Sequence, residues 1–386
     1  MIPGDILTIT PTELVAGGDA IARIDGFPVF ASNVFPGDVA RVQLSEVKKG
    51  FAKADLFELV TPGPWRRTQP CPVAHECGGC DWTALRLDKQ LEAKRKILVE
   101  SLRRIGKLDP AGLPEITIHP SPLNYRLRSR LHDDGHAVGF FAMRSNRVVP
   151  LPLECEVVGV KTARRFGGAS AASAGQTLAI PPGEQDRQIW ETDHELVLDE
   201  RELTLTVDSF TYRLDSRAFF QVNRHLLGTM LRLAAGHAAR VKHRGTAVDL
   251  YGGVGFFTLP IARLFDRVTM IEGSPVATRY ARLNVPRNVK VISAPVEQKM
   301  RTMPDVDFTF LDPPRAGTTR EVVSTVAERT KEIIAYLSCD PVTFARDASR
   351  LIASGWRLST LDLLDLFPNT HHVETLSSFE REQPAR

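Results

Sequence analysis

The chain has 386 residues, of which 43% are apolar and 25% charged, and its formal net charge is +3. That composition excludes a mainly disordered chain, and at ~150 residues per domain the length suggests two or three domains. A mildly basic balance permits a nucleic-acid partner without requiring one. No run approaches ~18 uninterrupted apolar residues, so no membrane span is expected. The start, MIPGDILTITP, has no basic region leading into an apolar run and does not read as a signal peptide. The expected compartment is the cytoplasm, where thiols stay reduced.

Residues 1–60 carry short β-rich runs, ILTITP, FPVFAS, DVARVQL and FAKADLFEL, broken by turn residues such as Gly17-Gly18, Asp25-Gly26 and Pro36-Gly37-Asp38. Short strands at this spacing predict a small β-barrel. Lys48, Lys49 and Lys53 mark either a phosphate-facing loop or a solvated hairpin. The segment resembles a TRAM domain, an RNA-binding barrel, over most of 1–58. Pro62-Gly63-Pro64 reads as a linker to a second unit, 61–215.

Three of the five cysteines, Cys71, Cys77 and Cys80, crowd into CPVAHECGGC. The Gly78-Gly79 pair lets two thiolates converge on one centre. A fourth ligand is needed, and Cys155 and Cys339 are the remaining cysteines. Four thiolates suit a tetrahedral zinc or an iron–sulfur cluster, and spacing alone does not choose between them.

Downstream, Leu87, Leu91, Leu98, Leu102 and Ile105 recur at helical spacing, ending at Gly106. The other face carries eight basic residues, Lys94 among them, against three acidic ones. Beside it, Arg126, Arg128 and Arg130 alternate along a predicted strand, and together these elements suggest an anionic polymer as partner. The stretch 121–215 reads as β-rich, and GGASAASAG at 167–175 as a low-complexity break in a surface loop or at a helix end.

From about residue 245 the pattern becomes strand, turn, helix, repeated, which predicts a doubly wound α/β unit within a third segment, 216–386. Ligands of such sheets sit at the carboxyl ends of the strands. DLYGGVG follows the first strand, Glu272 ends the second, Asp312 of LDPPRAG follows the fourth, and Cys339 of LSCDP follows the fifth. The glycine turn lacks the third glycine of a dinucleotide fingerprint and carries no P-loop lysine. A nucleoside cofactor without a triphosphate fits, S-adenosylmethionine ahead of NAD, with Glu272 placed to bond ribose hydroxyls. Pro313 and Pro314 stiffen the chain after Asp312.

CPVAHECGGC, AFFQVN, DLYGGVG, IEG, LDPPRAG, LSCDP and FPNTHHVET occur in that order over nearly the whole chain. Together they resemble the RNA uridine-5 methyltransferase family, in its iron–sulfur branch with an N-terminal TRAM domain. The resemblance implies a Rossmann-like methyltransferase domain behind a β-rich central domain. It implies a [4Fe–4S] cluster on Cys71, Cys77, Cys80 and Cys155, and S-adenosylmethionine contacts from Gln221, Tyr251, Glu272 and Asp312. It further implies Cys339 as nucleophile and Glu374 as base. Gly253 stands where relatives often carry cysteine, and Ala294 where some carry a polar residue near the adenine.

Carbon 5 of uracil is a poor nucleophile. A thiolate adding at carbon 6 turns the ring into an enolate with electron density at carbon 5, which then accepts the methyl group. A base must remove the carbon-5 proton before the thiolate leaves. The target must leave its stack, so an unpaired or flipped uridine is expected. The expected protein is a monomeric RNA methyltransferase that binds no membrane, with 23S ribosomal RNA favoured as substrate over transfer RNA. Rival readings are a cytosine-5 RNA methyltransferase, an amino-group methyltransferase using Asp312-Pro313-Pro314, and a non-catalytic RNA-binding or redox-sensing protein on the same fold.

Overall fold

The computed structural model describes residues 1–167, 186–192, 196–198 and 202–381. Most of the 167–175 break therefore lies outside the described residues. The first sixty residues form one six-stranded sheet in which Phe27–Ser32 pairs parallel with Ala52–Thr61, and the remaining pairs run antiparallel. Its interior is built from small side chains, Ala20, Ala22, Ala31, Ala40, Ala52 and Ala54, around Val29, Val42 and Leu44. The strands Glu13–Leu14 and Ala20–Ile24 join those expected from the sequence.

A C-terminal sheet of eight strands runs Val289–Ser293, Arg267–Glu272, Thr246–Leu250, Val306–Leu311, Thr330–Ser338, Glu374–Arg381, Trp356–Leu364, Ile116–His119. The first five are parallel, and Glu374–Arg381 is antiparallel to both neighbours. Val306–Leu311 is buried along its whole length, as a central strand covered on both faces must be. After Thr246–Leu250 the chain winds outward one way, then returns to lay Val306–Leu311 on its other side. That reversal opens a crevice at the carboxyl ends of both strands.

Residues 87–119, expected in a central unit over 61–215, instead add to the C-terminal one. The strand Ile116–His119 pairs parallel with Trp356–Leu364, and the helix Leu87–Arg104 packs on the helix Pro341–Ala353. The rest of the central region holds a five-stranded sheet and the hairpin Glu202–Val207/Phe210–Asp215. No described helix is long and apolar enough to cross a membrane.

The helix Leu87–Arg104 differs from the sequence reading in which face it buries. Gln90, Ala93, Lys94, Ile97, Leu98, Ser101 and Leu102 point inward, while Leu87 and Ile105 are exposed. Lys94, expected on an RNA-facing surface, is fully buried and donates to Asp365 Oδ1 at 2.6 Å and to the Phe367 carbonyl at 2.9 Å. Arg86, Lys89, Lys96, Arg103 and Arg104 all pair with carboxylates, so much of the basic face is neutralised. The strand arginines are also partly internal. Arg126 lies over the Phe140 ring and Arg128 over Trp190, with Arg128 bonding the Ala218 carbonyl at 2.8 Å.

Removing Lys94 strands Asp365 as a buried charge. Lys94→Ala is expected to cost about 3–5 kcal/mol, read as a lower midpoint in urea unfolding. Lys94→Met together with Asp365→Leu should recover most of that loss.

Candidate functional site

Each expected site residue of the C-terminal unit falls at the crevice end of the sheet. Asp249, penultimate in Thr246–Leu250, is fully buried; Thr258 Oγ1 donates to its Oδ2, and its Oδ1 has no protein partner. Tyr251 follows in the left-handed region at φ 64°, donating its hydroxyl to Glu297 Oε1 at 2.9 Å. Gly253 is also left-handed, at φ 58°, with open space where a Cβ would stand, so glycine suits the place where relatives often carry cysteine. Glu272 Oε2 accepts from the Gly253 N–H at 3.0 Å and Oε1 from the Ser274 N–H at 2.6 Å. The glutamate at the end of one strand thereby fixes the glycine turn after its neighbour. The Ala294 N–H bonds the Glu272 carbonyl at 2.9 Å.

Asp312 emerges from Val306–Leu311 and accepts from Gln221 Nε2 at 3.0 Å. Burial first, then the neighbouring carboxylates of Asp249 and Glu272, push its pKa up to about 8. Burial likewise takes Asp249 to about 7, against the pull of the Thr258 hydroxyl. Three carboxyls around one crevice repel one another, and the orphaned Asp249 Oδ1 adds an unused acceptor. The acceptor set therefore suits a ligand that brings hydroxyl or amine donors and positive charge.

Cys339 sits between the strand Thr330–Ser338 and the helix Pro341–Ala353. Asp340 caps that helix, its Oδ1 accepting from the N–H groups of Val342 at 3.0 Å and Thr343 at 2.7 Å, with Pro341 at the first position. The sequence SCDP thus ends a strand, presents a thiol and starts a helix. Ser338 pairs with Thr375 across the antiparallel neighbour. Cys339 and Glu374 are the next residues outward along that register, and the Glu374 carboxyl acts electrostatically on the thiol.

A helix N-terminus favours a thiolate, but here burial outweighs it. Desolvation, then the facing carboxyls of Glu374 and Asp312, push Cys339 up to about 12, with Arg315 pulling the other way. Glu374 is raised well above the carboxylate range by burial and by Asp312, again opposed by Arg315. The motif LDPPRAG gives Arg315 no part of its own, and in the sequence Asp249 serves only as a spacing mark. Nothing local marks either residue, because their importance comes from the groups folded against them.

The four remaining cysteines meet elsewhere. Cys71, Cys77, Cys80 and Cys155 line one small, largely apolar cavity with Phe140 and Leu151. None forms a disulfide. No described cluster of His, Cys, Asp or Glu side chains closes tightly enough to grip a single ion. The thiols stand around a space rather than at a point. The Gly79 N–H points at Cys77 Sγ at 3.3 Å, and the Arg126 guanidinium lies close to the Gly79 carbonyl, on the same loop. Burial raises the Cys80 thiol well above its ordinary value, and Arg126 opposes that. An all-sulfur donor set beside a cation and a backbone N–H fits an anionic metal–thiolate centre.

A doubly wound sheet whose crevice at the strand ends is lined by Asp249, Glu272 and Asp312 defines an α/β protein built to take a nucleoside-type ligand. Residues 183–381 match the tRNA (Uracil-5-)-methyltransferase family, and residues 3–57 match the TRAM domain. An uncharacterized RNA methyltransferase of Corynebacterium efficiens is 30% identical, covering 98% of this chain and 96% of its own. The 23S rRNA (uracil(1939)-C(5))-methyltransferase RlmD of Photorhabdus laumondii is 29% identical, over 97% of each chain. A solved tRNA (uracil-54, C5)-methyltransferase of Pyrococcus abyssi in complex with S-adenosyl-L-homocysteine shares the fold at a TM-score of 0.71, covering 97% of this chain and all of that one at 22% identity. The chain belongs to the RNA (uracil-5-)-methyltransferase family.

The raised Cys339 pKa makes a reactivity prediction. In RNA-free protein, alkylation of Cys339 by iodoacetamide should climb about tenfold per pH unit from pH 7 to 10 without levelling. An ordinary thiol with a pKa of about 8.5 levels off near pH 9. Peptide mass spectrometry over a pH series reads the rate at this one cysteine.

Proposed function

We propose that Cys339 is the nucleophile and Glu374 the base in methylation of carbon 5 of a uridine in 23S ribosomal RNA, carried out by a monomer in the cytoplasm. The observation that carries this reading is the Ser338–Thr375 pairing, which brings the residues next outward, Cys339 and Glu374, to the same strand ends as Asp312 and its partner Gln221. The choice of ribosomal over transfer RNA is supported by the higher identity to RlmD, 29% against 22% for the transfer-RNA enzyme at similar coverage.

Gln221, Tyr251, Glu272 and Asp312 would hold S-adenosylmethionine, which supplies an electrophilic methyl on a cationic sulfur whose charge favours ionised carboxyls nearby. Cys339, partly exposed, must give up its proton to water as the uridine enters, and Glu374 must likewise release its own. Its sulfur then bonds carbon 6, breaking the 5,6 double bond and moving charge onto the ring's oxygen. Carbon 5 would then bond the methyl group as the methyl–sulfur bond breaks, its electron pair staying on the donor's sulfur to leave a neutral thioether. Glu374, by then ionised, removes the carbon-5 proton, the carbon–sulfur bond breaks, and the ring double bond and the free cysteine are restored. Burial of Glu374 makes its ionised form a strong proton acceptor.

The test uses RNA from a deletion strain and a labelled methyl donor. Cys339→Ala should yield no 5-methyluridine. Glu374→Gln should accumulate a methylated protein–RNA adduct that survives denaturation, with turnover down at least ~100-fold, within the range general bases contribute. Normal turnover by Glu374→Gln with no adduct would remove it as the base. Label in transfer RNA alone would move the substrate assignment, and label in 5-methylcytidine would move the reaction.

Cys71, Cys77, Cys80 and Cys155 are proposed to hold a [4Fe–4S] cluster. The motif's resemblance supports iron, and their placement around a cavity suits a cluster better than a lone ion. The cluster's part is structural, pinning the loop that bears three of the ligands to the segment that bears Cys155. Anaerobically purified protein should be brown and contain iron and sulfide, and Cys155→Ser should lose the colour and lower the melting temperature. Colourless anaerobic protein holding one zinc would overturn the assignment.

A further inference from the structure

FPNTHHVET carries Glu374 as its penultimate residue, yet its two histidines have no part in the chemistry above. His371 is held twice by Asp81, the residue after Cys80. Its backbone N–H reaches Asp81 Oδ1 at 3.1 Å and its Nδ1 reaches Oδ2 at 2.6 Å. The His372 ring lies 4.4 Å from that of His371 and meets the Phe367 ring edge-on at 5.5 Å. On the other side, Arg315 Nη2 is 3.1 Å from His372 Nε2. We propose that Asp81, His371 and His372 are positioning residues that hold the Arg315 guanidinium against Cys339 and Glu374. This rests on the reading of Cys339 as nucleophile.

Arg315 needs such a hold. It is exposed, and a free arginine side chain samples many rotamers and prefers water. Its backbone is fixed, since its carbonyl accepts from Thr343 Oγ1 at 3.3 Å, but that leaves the side chain loose. The His372 ring supplies an acceptor that cannot swing away, because Phe367 and His371 flank it. Burial, then the nearby charges of His371 and Arg315, hold His372 down to about 3, so the ring stays neutral and able to accept. Arg315 in turn draws down both Cys339 and Glu374, the two groups that must ionise during the reaction. The first module closes the chain from outside: a Cβ on Gly18 would come within 2.5 Å of Asp81 Oδ2 and 2.9 Å of His371 Nδ1.

The experiment measures Cys339 alkylation by iodoacetamide in full-length, anaerobically prepared protein, resolved by peptide mass spectrometry between pH 7 and 10. His372→Ala should slow alkylation roughly three- to tenfold at pH 8, as a rise of about half to one pKa unit would. His372→Gln, which keeps an acceptor, should recover most of the rate. Asp81→Asn should slow it in the same direction but less. In an Arg315→Gln background, His372→Ala should change nothing further. Arg315→Lys, which keeps charge but loses the fork, should behave like His372→Ala, and it serves if His372→Ala fails to fold. Unchanged alkylation in folded His372→Ala or Arg315→Lys would overturn the proposal, as would an equal further loss in the Arg315→Gln background. This readout needs no RNA. A Cys339→Ala enzyme that still made 5-methyluridine would instead defeat the nucleophile reading and leave the alkylation result standing.

Discussion

The architecture around the site depends on one buried side chain, Asn369. It sits in the left-handed region at φ 67°, a conformation that asparagine tolerates better than most residues. Its Oδ1 accepts from Arg67 Nη2 and Gln90 Nε2, each at 3.0 Å, and its Nδ2 donates to Glu156 Oε2 at 2.8 Å. Its N–H donates to Gln90 Oε1 at 2.7 Å, and its carbonyl accepts from the N–H groups of Asp81 and Trp82. One residue thus joins the cysteine loop, the helix Leu87–Arg104, the Arg67–Glu156 ion pair and the segment that delivers Glu374. Glu156 is the neighbour of Cys155, so both halves of the cysteine cavity are tied to the same point. With every polar atom satisfied, such a network specifies one arrangement, whereas losing a member strands several buried groups at once.

The crevice is built against its own stability. Asp249 and Asp312 have folded-state pKa values above the ordinary 3.8. In each case the folded form binds its proton more tightly than the unfolded one, so their contribution to stability is greatest at low pH. It declines as pH rises from about 4 through the folded values near 7 and 8. A cationic ligand reverses that penalty by giving the ionised carboxyls a partner. The same logic covers Cys339 and Glu374: burial raises both, and the neighbouring carboxyls, Glu374 and Asp312 for the thiol and Asp312 for Glu374, raise them further. Arg315 opposes burial at both groups, favouring their ionised forms.

What the sequence made legible was local. Strand, turn and helix in the C-terminal third follow from short apolar runs punctuated by glycine and proline. Ligand groups of such sheets fall at strand ends, so the positions of Glu272, Asp312 and Cys339 at the crevice follow from chain order alone. The cysteine loop was readable for the same reason, since three ligands share ten residues. What was not legible depended on distant partners. Lys94 belongs to the basic pattern by composition and becomes internal only because Asp365 lies opposite. The helix buries Gln90 and Lys94 in place of Leu87, because polar partners from the segment 365–369 await them. Ile116–His119 takes its place in the C-terminal sheet only because Trp356–Leu364, distant in sequence, supplies its neighbour. Arg126 alternates with Arg128 and Arg130 as a surface strand would, yet it turns toward the cysteine cavity.

The same long-range contacts fix how the N-terminal module stands relative to the site. Its interior side chains belong to one continuous apolar core that runs through Trp82, Leu85 and the helix Leu87–Arg104 into one face of the C-terminal sheet. Trp82, wholly buried, donates its ring N–H to the Gly18 carbonyl at 3.1 Å. Asp38 takes the Gly63 N–H at 2.7 Å and the Arg66 guanidinium, so the Pro62-Gly63-Pro64 segment folds back onto the module rather than spacing it away. A TRAM domain on a free tether would add only local concentration of RNA. One sharing a core with the sheet holds its exposed Lys48–Lys49 hairpin at a set distance from Cys339. Whatever the barrel binds is thereby held at a fixed distance from the crevice.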